Sequence, residues 1–407
     1  MIGHIVVIND LSVPKGGATA LALASATAFR ARGYRVTLIT GDDGDNAALA
    51  ALGVEIVALG SKRLLSGSRV AALTRGFYNA DAARMVRQWI DANDRPSTVY
   101  HVHGWSQILS PSLFDAVAPV RTRLVYSAHD FFLACPNGAF AFLQTGQVCP
   151  HTPLSRACVT ANCDRRSYAH KLWRVGRQIV QRHYYDPRHS PPVLAIHEAM
   201  RPFLMRAGIP SAAIEALPNP VEPWCDNRIE AERNDEILFV GRLEETKGPD
   251  LAAAAARAAG CRLRLIGDGV LRASLETAYP EFAFMGHQPA AVIRTYAAQA
   301  RMLVVPSRYP EPYGLVAAEA LWSGLPVIIT DTAFLADDIV AAGAGLAVEP
   351  RDTVAFAAAM RLIAGDDGLV QRMSRAAHER TGGLALTPDA WIDRLIDVYT
   401  RRLAMAA

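Results

Sequence analysis

No stretch of this sequence reaches the roughly 20 consecutive apolar residues that a membrane-spanning helix needs. Even the alanine run that starts at Ala252 is broken by Arg257. Charge of one sign is also scarce. The 42 Lys and Arg stand against 39 Asp and Glu, a net charge of +3, which is too small to mark a dedicated nucleic-acid binder. A secretory leader is not legible: residues 1–8 are apolar but short, with no basic segment before them and no small-residue cleavage site after them. They read as a first strand. These absences lead to the expectation of a protein made and kept in the cytoplasm. There its 6 cysteines serve as thiols or metal ligands in preference to disulfides.

At 407 residues the chain is too long for one comfortable core, so two domains are expected. An apolar share of 51% with 20% charged residues fits a folded α/β protein and excludes disorder as the main state. Short β-branched runs at 2–8, 35–40, 54–58, 98–102 and 124–127 alternate with helical patterns, the first over about 18–31. Strands buried on both faces and separated by helices predict a parallel, doubly wound sheet. A second set of runs, at 236–240, 262–266, 282–285, 302–305 and 327–330, follows a proline-rich passage that reads as a linker. The predicted organisation is a domain over 1–217 with a Cys-rich loop at about 131–165, a linker over 218–235, a second domain over 236–385, and a final helix over 386–407. That helix carries Trp391, Leu395, Ile396 and Tyr399 on one side, and it is expected to cross back onto the first domain.

Ligands of doubly wound sheets sit beyond the carboxyl ends of the strands, so the residues after each strand carry the chemistry. After the first strand, Gly16 and Gly17 open a helix, where backbone can approach a ligand and the helix N-terminus attracts anions. After strand 236–240 come Gly241, Arg242 and Leu243, then Lys247 and Gly248. Arg242 offers a planar fork and Lys247 a movable point charge, both suited to a diphosphate. The run Gly267-Asp268-Gly269 is a fragment of the dinucleotide fingerprint, with Arg272 where its third glycine would stand. That gap speaks against a dinucleotide oxidoreductase. The most informative segment presents Glu311, then Pro312-Tyr313-Gly314-Leu315-Val316, then Glu319 on a helix closed by Ser323-Gly324-Leu325-Pro326. One acid on a loop and a second on the helix can hold two sets of hydroxyls, with the helix N-terminus between them holding phosphate.

In this order of motifs the chain resembles the retaining glycosyltransferases of family 4. The resemblance spans nearly the whole chain and is strongest over about 236–350. It implies a GT-B fold, two doubly wound Rossmann-like domains facing a central cleft. It implies transfer of a hexose-type sugar from a nucleotide-diphosphate sugar to a glycan or lipid-linked acceptor, in polysaccharide or glycoconjugate synthesis and with no catalytic metal. Arg242 and Lys247 would bind the donor diphosphate and neutralise the leaving group. Glu311 would hydrogen-bond the donor sugar, Gly314, Leu315 and Val316 would give backbone contacts, and Glu319 would accept both ribose hydroxyls. His129, in Ser127-Ala128-His129-Asp130, would lie beside the donor sugar as a catalytic group, with His101 and His103 as weaker candidates. Tyr313 stands where many relatives have phenylalanine and could add one hydroxyl contact. A nucleotide-sugar epimerase of the same fold, and a non-catalytic nucleotide-sugar-binding protein, remain rival readings.

Two further features are not part of that pattern. Cys135, Cys149, Cys158 and Cys163 fall within an irregular, Pro- and Gly-marked segment. Four thiolates can hold a structural Zn²⁺ tetrahedrally; an iron–sulfur cluster, free thiols or a disulfide are the other readings. From Arg165 to Tyr185 basic residues alternate with aromatics. Such a stretch forms a solvated basic face, grips a phosphate-bearing acceptor, or rests on an anionic membrane, which would place the protein peripherally on the inner face of the membrane.

Overall fold

The computed structural model describes residues 1–64 and 69–406, apart from the side chains of 69–72. The chain divides into two compact units. Unit 1 comprises Met1–Thr145, Cys149–Leu217 and the chain from Asp389 onward; unit 2 comprises Gly146–Val148 and Pro218–Pro388.

Unit 1 is built on seven parallel strands: β1 (His4–Asn9), β2 (Arg35–Thr40), β3 (Glu55–Ala58), β4 (Thr98–Val102), β5 (Leu124–Ala128), β6 (Val193–Ala195) and β7 (Ile214–Ala216). Their spatial order is β3-β2-β1-β4-β5-β6-β7. Every residue of β1, β4 and β6 is buried, as expected for central strands covered by helices on both faces. The helix Pro388–Ala406 turns Trp391, Ile392, Leu395, Val398 and Tyr399 inward. From Asp389 on it belongs to unit 1, where Arg32 pairs with both Asp389 and Asp393.

Unit 2 holds six parallel strands: β8 (Glu236–Val240), β9 (Arg262–Ile266), β10 (Ala283–Phe284), β11 (Ala300–Val305), β12 (Val327–Thr330) and β13 (Gly345–Val348), in the order β10-β9-β8-β11-β12-β13. The stretch before β8 is packed, not free. Trp224, Ile229 and Ala231 are buried, and the Trp224 N–H donates to Ser323 Oγ at 2.7 Å.

Each unit therefore has one place where strand order reverses, β1/β4 in unit 1 and β8/β11 in unit 2. The α/β architecture agrees with the sequence reading. β6, β7 and β13 were not legible in it, and the run at 282–285 pairs only through Ala283 and Phe284. Among the described residues no helix is long and apolar enough to cross a membrane. Most of the basic–aromatic stretch forms the helix Tyr168–Tyr184, and its basic residues divide: Arg165, Arg166 and His170 are exposed. Lys171 and Arg177 are buried, and Trp173 packs edge-on against Phe77 at 5.8 Å.

Candidate active site

In unit 2 the loops after β8 and β11 flank the reversal point, where parallel sheets hold ligands. Leu243 is fully buried and anchors the first loop, which leaves Arg242 exposed beside Glu244 at 3.0 Å. The turn Glu245–Lys247 brings Lys247 Nζ to 2.5 Å from Glu311 Oε2. Ser307 Oγ donates to the same oxygen at 2.8 Å. Burial opposes the charge on Glu311, but Lys247, Ser307 and Arg242 together hold its carboxyl below the usual glutamate value. Glu311 is thus a carboxylate, already engaged and oriented.

The two loops are fastened to each other. The Arg308 N–H donates to the Thr246 carbonyl at 3.0 Å, and its guanidinium reaches the Glu245 carbonyl at 2.8 Å and Asp250 Oδ1 at 2.7 Å. Gly248, at φ 65°, lies so close to the second loop that a Cβ there would stand 2.1 Å from the Pro306 carbonyl oxygen. Only glycine permits both that conformation and that approach.

The helix Leu315–Trp322 begins after Gly314 and has no acid in its first turn. The first N–H groups of a helix lack intrahelical partners, so those of Leu315 and Val316 can receive an anion. Farther along lies Glu319. Burial raises its pKa to about 7, against a hydrogen bond from Trp224 and the charge of Arg294. Tyr313, by contrast, points away from this chemistry. It is buried, and its hydroxyl donates to the Leu384 carbonyl at 2.6 Å, so the extra contact expected of it is a structural one.

In unit 1 the loops after β1, β4 and β5 meet at the β1/β4 reversal. Asp10 ties two of them together: Oδ2 accepts from the Gln107 N–H at 2.7 Å, and Oδ1 from Ile108 and Leu109 at 2.9 Å. Gly16 caps the helix Gly17–Ala31, and apart from its chain neighbours no atom of the described residues lies within 4 Å of where its Cβ would be. His103 and His129 stack at 5.3 Å, with His103 Nδ1 3.0 Å from His129 Nε2. His101 sits 3.9 Å from His103, ring to ring. It is held by the Tyr399 hydroxyl at Nδ1 (2.6 Å) and by Ser127 Oγ at Nε2 (2.9 Å). Burial lowers the pKa of His129 to about 4 and of His101 to about 3, so these rings are neutral near pH 7. A neutral imidazole can orient or accept, but it supplies no full positive charge. His129 Nδ1 and His103 Nε2 are buried and find no hydrogen-bond partner among the described residues. His103 also lines a cavity with Trp105, Ser127, Asp130 and Phe132.

Sequence reasoning thus named Arg242, Lys247, Glu311, Gly314, Leu315, Val316 and Glu319, which unit 2 gathers around one reversal point, and Gly16, Gly17 and His129, which stand at the reversal point of unit 1. It missed Ser307, Trp224 and Asp10. Cys135, Cys149, Cys158 and Cys163 are buried free thiols lining one small cavity. No group of three or more His, Cys, Asp or Glu among the described residues is arranged to hold a metal ion.

The family model of Glycosyltransferase Family 4 matches residues 15–224, and that of glycosyl transferases group 1 matches residues 226–380. The chain belongs to glycosyltransferase family 4. Among curated relatives of this family 4 chain, glycogen synthase of Mycobacterium tuberculosis is 33% identical over 156 residues, 36% of this chain and 37% of that protein. The D-inositol 3-phosphate glycosyltransferase of Mycobacterium bovis is 30% identical over 230 residues, 53% of this chain and 45% of that protein. The chain spans less than half the length of these curated relatives. The fold is GT-B. A sucrose-phosphate synthase from Thermosynechococcus elongatus superposes with a TM-score of 0.71 at 18% identity, over 98% of this chain and 99% of that one. HepE of Anabaena, crystallised with UDP, does so at 0.67 and 16% identity, over 98% and 99%.

Proposed function

We infer that this family 4 chain is a retaining glycosyltransferase that moves a hexose-type sugar from a nucleotide-diphosphate sugar to a glycan or lipid-linked acceptor. The observation that carries this reading is the Lys247–Glu311 pair, 2.5 Å apart, beside a helix N-terminus that has no acid in its first turn. In this reading the diphosphate lies on the N–H groups of Leu315 and Val316, Arg242 and Lys247 receive the charge that develops on the leaving group, and Glu311 holds sugar hydroxyls. Glu319 holds the ribose. Within unit 1, the same reading gives Gly16 and Gly17 the role of presenting backbone to a ligand and the neutral His129 that of orienting one. Support comes from the names of the relatives, which are glycosyltransferases and a glycogen synthase, and from HepE, which binds UDP-glucose in its crystals.

The reading is tested by incubating the chain with nucleotide sugars and glycan or lipid-linked acceptors, and by determining the anomeric configuration of the product by NMR. Transfer with the donor's configuration kept is expected. Inversion contradicts the retaining assignment, and interconversion of the donor sugar without transfer favours an epimerase.

Glu319 gives a pH signature. A carboxyl whose pKa is raised to about 7 in the folded chain contributes stability below its ordinary value and loses it as pH rises through about 7. Bound ribose hydroxyls donate to the ionised form, so nucleotide affinity should rise roughly tenfold from about pH 6 to about pH 8. Titrations at both pH values should show that rise in the native chain and a flat response in Glu319→Gln.

A further inference from the structure

The segment 131–165, which belongs to unit 1 apart from Gly146–Val148, has little regular structure, with one short helix at Arg156–Thr160. Its large buried hydrocarbon side chains, Phe131, Leu133 and Phe140, cluster near its start. The remainder needs another source of order. What lies buried there is sulfur. Cys135, Cys149, Cys158 and Cys163 line one small cavity with Asn137, His151 and Lys171.

Lys171 gives the cavity its character. The side chain is 1% exposed, and its ammonium donates to Cys158 Sγ at 3.5 Å, so its partner is a sulfur and not a carboxylate. Asp164, the acid next to Cys163, is taken by Arg174 at 2.7 Å. A second cation, Arg206, donates to the Cys149 carbonyl at 2.9 Å and packs over the Phe140 ring at 4.7 Å. A buried cation beside neutral thiols is costly, and so are clustered thiolates with no cation among them. A divalent ion bound by all four thiolates relieves both costs: the complex is a dianion, and Lys171 and Arg206 balance it.

We propose that Cys135, Cys149, Cys158 and Cys163 bind one Zn²⁺ as a structural tetrathiolate, with Lys171 and Arg206 as its charge-balancing partners. On binding, each thiol loses its proton to solvent and forms a Zn–S bond of about 2.3 Å; nothing is oxidised or reduced. As the side chains stand, no three of them are arranged to hold an ion. Asn137 bridges two of the sulfurs: its Oδ1 accepts from Cys135 Sγ at 3.1 Å, and its Nδ2 donates to Cys163 Sγ at 3.2 Å. Binding therefore requires the cysteine side chains to rotate toward the cavity centre, and the Asn137 carbonyl to turn away from Cys135.

The test is elemental analysis of the full chain, purified without chelator from zinc-supplied cells, followed by exchange with Co²⁺. About one zinc per chain is expected, with a sulfur-to-cobalt charge-transfer band and the strong visible bands of a tetrahedral thiolate site. The double variant Cys158→Ser, Cys163→Ser should lose the metal. Lys171→Met should keep the fold but release zinc to a competing chelator at least tenfold more readily. A native chain that melts cooperatively and holds no zinc overturns the proposal. So does iron with labile sulfide, or a cobalt spectrum without the charge-transfer band.

Discussion

Replacing Lys247 by alanine is expected to slow sugar transfer by roughly a hundred- to a thousandfold, the loss typical of removing one donor aimed at developing negative charge. Lys247 comes within 2.5 Å of Glu311 and is placed by a turn at the end of β8, so its charge is fixed in position before any ligand arrives. Most of the loss should fall in kcat, because the leaving diphosphate gains charge only as the sugar departs. A second effect follows from the same contact. Lys247 is the main group holding the buried Glu311 carboxyl below its ordinary value. Without it, burial is less opposed, the carboxyl rises, and the residual activity should fall on the acid side at a higher pH than in the native chain. Steady-state kinetics across pH measure both. An unchanged kcat would mean that the lysine only buttresses Glu311.

Gly248→Ala should destabilise unit 2 by about 2–4 kcal/mol, combining backbone strain with a steric clash. The new Cβ would stand 2.1 Å from the Pro306 carbonyl, a backbone atom of the second loop. Relief requires the loops after β8 and β11 to part, and that separates Lys247 from Glu311. Gly260→Ala is the control. It has a similar φ of 70° and, among the described residues beyond its chain neighbours, nothing within 4 Å of its Cβ, so it should cost only the left-handed strain, about 1–2 kcal/mol. Denaturant unfolding of the two variants separates clash from strain. Equal losses would show that the close approach of the loops is not what demands glycine.

The longer buried strands were legible, because apolar runs of five or six residues such as those of β1 and β8 alternate regularly with helical patterns. Strands of three residues carry no period, which hid β6 and β7. β13 escaped because most of it is only half buried. The start of β11 was masked by Arg301, a charged residue that reads as surface. It is 3% exposed, and its guanidinium is spent on the carbonyls of Ile363 and Asn234 and on Asp367. The candidate site divides in the same way. Arg242, Lys247, Glu311 and Glu319 stand out because they occur together in the motif order that resembles family 4, and because Glu319 is flanked by apolar residues. Ser307 and Asp10 act only through groups that the fold brings to them. Nothing local distinguishes a serine that holds Glu311, or an aspartate that accepts three N–H groups from a distant loop. Tyr313 shows the converse: its position in a motif suggested a ligand contact, and the fold gave its hydroxyl to a carbonyl of the chain.

Calorimetric titration of the full chain with UDP, GDP and ADP addresses the donor site most directly. One of the three nucleotides should bind at a single site, and the heat should be lost in Glu319→Ala and sharply weakened in Arg242→Ala, with both variants still folded. A folded native chain that binds none of them, or that binds equally well without Glu319 and Arg242, would contradict the assignment of the β8/β11 loops as the nucleotide-sugar site.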